Sequence, residues 1–395
     1  MSSGRSLALV FGIIVAACGG RASEPTYPTD RPLVKPGDDL SSAKAGAKRV
    51  DASQTGLVAK DPRIVDLDII RVKGNMVGPE DGGSVATADL FREANEQLKN
   101  GKPREAMAQF RRLVTEFPES KYAPLSLFNI AAAQDSLGDR TATIATLREL
   151  VAAYPNARES IEGHLYIAAL QAEHQEWADA LVTLDAVVAR QNLTNADRVE
   201  AYARKGYVQL ELKKYDDADA AFGNAVAEWR RATRIDDPYY IAMAHYYRGE
   251  IAHRKFTAYP VRLPDAQLQI DLEQKRVLAV QAYERWKESL GFKHAYWATA
   301  SGYQMSQIFV ELWEATVKAP WPTQLAGADR PKYAKEIHDR VREHLEKALE
   351  GHRMNVELAK AYGVDTSWSK GSAAKAVEVM QKLDADMKGN FVTPP

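Results

Sequence analysis

Among side chains able to do chemistry, the single cysteine of this 395-residue chain stands apart. Cys18 has no second thiol to pair with, which excludes an internal disulfide and any multi-cysteine metal site. The eight histidines form no H-E-x-x-H. His338, His344 and His352 share one expected helix at spacings of six and eight. Residues on one helix face recur every three or four positions, so these three read as solvent-exposed helix histidines rather than a metal site. No G-x-x-x-x-G-K phosphate loop, no G-x-G-x-x-G and no G-x-S-x-G elbow occurs. Asp216-Asp217 and Asp236-Asp237 read as turn or helix-start carboxylates. Asn192-Leu193-Thr194 matches a glycosylation acceptor in form only. Lys and Arg number 52 against 53 Asp and Glu, which leaves no global charge for nucleic acid. The expectation is a chain that is not an enzyme and needs no metal or cofactor.

The surroundings of Cys18 give it a role. Arg5 supplies a short positive start, and Leu7 to Ala17 is an eleven-residue apolar run without charge. A bilayer-spanning helix needs about twenty residues, so this run fits the core of a secretory signal instead. It ends Val15-Ala16-Ala17-Cys18-Gly19, which resembles the bacterial lipobox: an aliphatic residue and two small ones before cysteine. The resemblance implies a lipoprotein signal peptide over 1–17 and a lipid-bearing Cys18 as the mature N-terminus. An ordinary secretion signal with a chance cysteine is the alternative. Stable anchoring takes more than one acyl chain, at about 0.8 kcal/mol per buried methylene, and a triacylated cysteine meets that need. Gly19 stands where Asp often marks inner-membrane retention, so the expected location is the outer membrane, facing the periplasm.

Residues 18–85 read as a lipidated, disordered tether. Pro25, Pro28, Pro32, Pro36 and Gly37 break regular structure, and the stretch from Ser41 to Ala47 is small and weakly patterned. A flexible chain of this length reaches roughly 40–50 Å. Ile64 to Lys73, with Leu67, Ile69, Ile70 and Val72, reads either as a short strand or docking segment or as a slightly apolar linker.

The elements that must carry any binding site follow. Ala106, Thr143, Ala180 and Ala218 recur at steps of 37, 37 and 38, as do Phe110, Leu147, Leu184 and Phe222. Ala94, Ala131, Ala168 and Gly206 keep the same steps, and Pro118 and Pro155 close the first two units. A period near 34–40 with two helices per unit is the signature of a solenoid. These positions resemble the tetratricopeptide pattern: a small residue on the first helix, an alanine and an aromatic on the second, and a closing proline. Gly101 and Gly138 provide the turn in the first two units, and the third unit lacks that glycine. The expected fold is therefore all-α, a right-handed tetratricopeptide-type solenoid with four repeats over 86–235.

Beyond them, 236–362 reads as expanded helical repeats. A first helix from Tyr239 to Phe256 has Gly249 at the close-packing position. An interruption from Thr257 to Asp271 precedes a second helix from Leu272 to Leu290, with Ala279 and Tyr283 in the packing roles. Trp297 to Val317 is another first helix, with Gly302 placed likewise. Pro320-Trp321-Pro322 ends it, and a long helix from Pro331 to Tyr362 follows. Residues 363–395 read as a capping helix, started by Ser369 or Ser372, and a tail.

In solenoids of this type the first helices line a concave surface. The alignment places Phe91, Asn95, Leu98, Phe128, Asp135, Tyr207, Glu211, Tyr246, Glu250 and His253 on it, as candidates to hold an extended or helical peptide. For Phe91 and Phe128, packing within the stack is an equal reading. A clamp for carboxylate termini is excluded, because Phe91 stands where a lysine is needed and Glu162 and Tyr166 replace basic residues, although Asn95 and Asn129 fit. Lipobox, tether and repeats together resemble envelope lipoproteins of barrel assembly, of the Tol–Pal system and of myxobacterial gliding motility. The resemblance implies a scaffold that binds envelope proteins. The alternative is a glycan- or peptidoglycan-binding module, for which Tyr239, Tyr240, Tyr246, Tyr247 and Trp297 would supply stacking faces.

Overall fold

The computed structural model describes residues 82–394. Cys18, the lipobox, the expected tether up to residue 81 and the segment 64–73 lie outside the described residues. The described chain divides into two compact units, one ending at Asp237 and the other starting at Pro238.

The first unit is four helix pairs. These are α1 (Gly82–Lys99) with α2 (Pro103–Glu116), α3 (Ala123–Ser136) with α4 (Arg140–Ala153), α5 (Arg158–Glu173) with α6 (Trp177–Val188), and α7 (Asn195–Glu211) with α8 (Tyr215–Arg231). Each helix packs on the next, and first helices of adjacent pairs also meet, α3 on α5 and α5 on α7. Neither helix of a pair can bury its apolar stripe alone, so stacking supplies the core. The periodic positions form that core. Ala106, Thr143, Ala180 and Ala218 are all fully buried, and so are Phe110, Leu147 and Phe222. Thr143 fits an alanine site because its hydroxyl donates to the Asp139 carbonyl one turn back, at 2.8 Å. Gly206 has a steric reason as well: a Cβ there would sit 2.7 Å from the Phe222 ring. Helices α2 and α4 end two residues before Pro118 and Pro155, as the missing N–H and the restricted preceding residue require. Asp139 caps α4 by accepting from Ala142 N, and Thr194 with Asp197 forms a capping box on α7.

The turns inside the pairs follow one geometry. Gly101 and Gly138 have φ of 71° and 79°. Gln175 and Lys213, at the same step of 37 and 38 residues, have φ of 61° and 60°. The third and fourth units keep the left-handed turn without the glycine that makes it inexpensive.

The second unit consists of α9 (Tyr239–Ala258), α10 (Asp265–Gly291), α11 (Ala295–Val317), a short 3-10 turn (Gly327–Asp329), α12 (Arg330–Tyr362) and α13 (Ser367–Met387). Consecutive helices pack in order, and α13 also reaches back to α11. Gly249 lets α10 approach α9: a Cβ there would lie 2.4 Å from Trp286 Nε1, and Trp286 is fully buried. Gly351 does the same for α12 on α11, against Ser306 Oγ at 2.4 Å. Gly302 is buried on α11 as expected.

Three sequence expectations change here. Helix α10 starts at Asp265 rather than Leu272. Its first turns are anchored by the buried Asp271, which accepts from the Arg262 side chain at 2.9 Å and from Arg262 N at 3.0 Å, so the interruption shrinks to residues 259–264. The cap of α13 is Thr366, which exchanges hydrogen bonds with Ser369 in a capping box. His338, His344 and His352 are buried, not exposed. Helix α12 is covered by α11 on one side and α13 on another, so more than one of its faces is interior. His338 lies between Asp386 Oδ1 and the Val392 carbonyl, and His352 contacts Ser372 Oγ and the Tyr303 ring.

Candidate binding surface

The first helices of the first unit carry seven of the ten residues expected at a partner surface. Phe91 is buried, stacked on Tyr122 at 4.9 Å between ring centroids and tilted against Phe110 at 5.6 Å. Phe128 is buried against Tyr166, and Tyr207 is buried edge-on to Trp177. Burial, with the Glu211 carboxylate beside it, pushes the Tyr207 phenol well above its ordinary range. These aromatics join neighbouring helices and leave little area for a ligand.

The polar members form the accessible row. Asn95 Nδ2 donates to the Phe91 carbonyl at 2.7 Å, and Asn129 donates across to Asn95 Oδ1 at 3.4 Å. Asp135 accepts from the Tyr166 hydroxyl at 2.7 Å. Asn95, Leu98 and Asp135 are half-buried, and Glu211 is exposed. A polar ladder thus runs from α1 to α3 to α5, with each rung held by a side chain of the adjacent first helix.

In the second unit, α9 carries the other three. Tyr246 is buried among Tyr247, Trp297 and Trp368. Gln304 Nε2 donates to Glu250 Oε1 at 2.9 Å and approaches the Tyr246 hydroxyl at 3.4 Å. Burial pushes the Glu250 carboxyl up to about 7, although His253 and Arg254 pull it down. Burial draws His253 down, but its hydrogen bond to Glu311 and that carboxylate's charge outweigh this and leave it raised. This is a linked acid cluster between α9 and α11, and sequence spacing gave no sign of its α11 half.

The aromatics considered as sugar platforms are also placed. Tyr239, Tyr246, Tyr247 and Trp297 are buried in edge-on or tilted contact with one another or with neighbouring rings, and Tyr240 is half-buried, edge-on to Tyr239 at 5.0 Å. Among the described residues, no group of three or more His, Cys, Asp or Glu side chains could hold a metal ion. No helix among them is long and apolar enough to cross a membrane.

Comparison with known proteins agrees with the repeat geometry. Residues 80–237 match the model of a tetratricopeptide repeat-like domain. No protein with a curated description matches the sequence. Among solved structures, MamA from Desulfovibrio magneticus is 19% identical over a match covering 51% of this chain and 96% of that chain, with a TM-score of 0.34. A tetratricopeptide repeat protein from Parabacteroides merdae is 14% identical, covering 70% of this chain and 99% of that chain, with a TM-score of 0.34. Residues 80–237 thus match a tetratricopeptide repeat-like domain, and their described part folds as four stacked helix pairs of that kind.

Proposed function

We propose that the protein is a lipid-anchored scaffold of the bacterial envelope that binds partner proteins along the first helices of its repeats. The carrying observation is that Asn95, Asp135 and Glu211 stay half-buried or exposed on the first helices α1, α3 and α7, while the aromatic side chains Phe91, Phe128 and Tyr207 of those helices are buried. Accessible polar groups on the first helices of a packed stack suit contact with an extended or helical segment. The lipobox-like Val15-Ala16-Ala17-Cys18 supports a diacylglyceryl anchor, and Gly19 supports sorting to the outer membrane. Partners are then outer-membrane or periplasmic proteins, in an assembly of the barrel-assembly, Tol–Pal or gliding-motility kind.

Two measurements test this reading. Cys18→Ala should leave the repeats folded and move the protein from the membrane to the soluble periplasmic fraction. Continued membrane association of that variant removes the anchor from the proposal. Chemical crosslinking in intact cells should recover specific envelope proteins, and Asn95→Ala/Asp135→Ala/Glu211→Arg together should reduce that recovery. Cell-wall fragments recovered in place of proteins would contradict the protein-binding reading.

A further inference from the structure

Helix α13 stands in the second unit as a first helix without a pair-mate. Helices α9 and α11 each pack against a following helix, α10 and α12. Helix α11 also meets both α9 and α13, as successive first helices of the repeats meet. Among the described residues no helix follows α13. Its inner stripe, Ser372, Val379 and Asp386, is buried at steps of seven. The tail turns to that same inner side, where the Val392 carbonyl and the Phe391 ring meet His338 beside Asp386.

The outer side of α13 is open and patterned. Lys370, Ala373, Val377, Met380, Asp384 and Met387 follow at steps of 3, 4, 3, 4 and 3, and all of them are exposed. Val377 is 50% exposed, Met380 45% and Met387 62%. Alternating steps of three and four hold residues on one helix face and form the seam of a two-helix coiled coil. A stack of helical repeats needs a polar outer face at its end to remain soluble by itself, and this seam is mostly apolar. In the repeat unit the exposed large apolar side chains Leu137 and Val182 belong to different helix pairs and form no such seam.

The order of residues along the seam selects its occupant. Its two charges are Lys370 and Asp384, seven residues before and seven after Val377. Small Ala373 lies in the N-terminal half, and the long Met380 and Met387 lie in the C-terminal half. An antiparallel second α13 matches this order. By two-fold symmetry Val377 meets Met380 of the second copy at the centre, and Lys370 comes beside Asp384 of the second copy, where Ala373 leaves room. A parallel pair would set Lys370 on Lys370 and Asp384 on Asp384, which repel. The present partners of these charges compete weakly, because Lys370–Asp365 at 3.1 Å and Lys388–Asp384 at 2.6 Å are exposed pairs. Arg353 of α12 borders the seam, with Nη2 3.8 Å from Met380 Sδ.

We propose that the outer face of α13 is a homodimer interface, in which two copies of the chain pair their α13 helices antiparallel about Val377 and Met380. The proposal is independent of the lipid anchor and of the first-helix surface. One pair of 21-residue helices, about 30 Å long, makes a small interface of the kind that associates reversibly.

The test is sedimentation equilibrium of the purified full chain carrying Cys18→Ala, over a concentration series. The mass should rise from one chain toward two. Val377→Glu should weaken association at least about 10-fold, with the melting temperature unchanged because the side chain is exposed. Lys370→Asp should weaken it about 2- to 5-fold, and adding Asp384→Lys should restore it. A thiol introduced by Met380→Cys is the only one in this chain and should couple to its counterpart through a short bismaleimide, whereas Val182→Cys should not. A single-chain mass at every concentration overturns the proposal, as does association that Val377→Glu leaves intact. A charge swap that restores nothing overturns the antiparallel arrangement. A benzophenone at position 380 that captures only a different protein in cells, never a second copy, assigns the face to that partner and overturns the homodimer.

Discussion

In residues 82–237, each core position is filled by the same kind of residue every 37 or 38 steps. Four small side chains at Ala106, Thr143, Ala180 and Ala218 each lie one turn before a large one on the same buried face, at Phe110, Leu147, Leu184 and Phe222. In residues 238–394, no such period exists. Gly249 meets Trp286 there as Gly206 meets Phe222 in the repeats, and buried polar groups join α9 to α10 and α12 to α11 and α13 at positions that do not recur. Ser289 Oγ donates to the Ala242 carbonyl at 2.8 Å, and Asn355 Nδ2 donates to the Thr299 carbonyl at 3.1 Å and to Ser372 Oγ at 2.7 Å. The repeat unit thus spreads its stability over equivalent nearest-neighbour interfaces, whereas the second unit concentrates it in a few unique contacts.

The largest expected effect tests that concentration. Trp286→Ala should cost about 3–5 kcal/mol, as removal of a fully buried large aromatic does. Phe222→Ala should cost a similar amount, but locally, so urea unfolding of that variant should split into two transitions. A single transition in both variants would erase the distinction between the units. The next effect concerns pH. Burial raises the Glu250 carboxyl from 4.5 to about 7, so the folded chain holds a proton that the unfolded chain releases. Its contribution is present below about pH 4.5 and is lost as pH rises through about 7, by up to about 3 kcal/mol. The raised His253 adds in the same direction. Buried His294 and His352, both lowered to about 4, act oppositely between about pH 4 and 6.5. Melting temperatures at pH 5 and pH 8 should therefore fall less for Glu250→Gln than for the unaltered protein. Identical shifts would remove Glu250 from the account.

Smaller effects follow from backbone contacts. Gly206→Ala and Gly249→Ala should each cost about 1–3 kcal/mol by overpacking, with Gly249 the larger because its neighbour is closer, 2.4 Å against 2.7 Å. The smallest change is a gain. Gln175→Gly and Lys213→Gly relieve left-handed backbone and should each stabilise the repeat unit by up to about 1 kcal/mol in chemical denaturation. A loss in both would show that the unfolded-state entropy of glycine outweighs the strain.

The repeat half of the fold was legible in sequence because its signal recurs. The spacing of Ala106, Thr143, Ala180 and Ala218 needs no knowledge of what each residue touches. The left-handed turns at Gln175 and Lys213 were not legible, because neither residue is the glycine that marks such a turn in the first two units. The second unit was legible only at the level of helices. Helix α10 begins seven residues earlier than its apolar pattern suggests, because Asp271 and Arg262 anchor polar turns that carry no periodic signal. The histidines of α12 were misplaced because a helix covered on several sides shows no single buried stripe. Of the surface residues, Asn95, Asp135 and Glu211 could be placed from helical spacing. The burial of Phe91, Phe128, Tyr207 and Tyr246 depended on partners from other helices, which spacing does not reveal.

The most direct test of the scaffold reading is position-specific photocrosslinking of the full chain in its own cells. A benzophenone side chain would replace Asn95, Asp135 or Glu211 on first helices, and Arg112 or Arg148 on second helices, where both side chains are exposed. The account predicts one recurring envelope protein captured from the first-helix positions and absent from the second-helix ones. Capture of the same protein equally from both sets, or from the second-helix set alone, would contradict it.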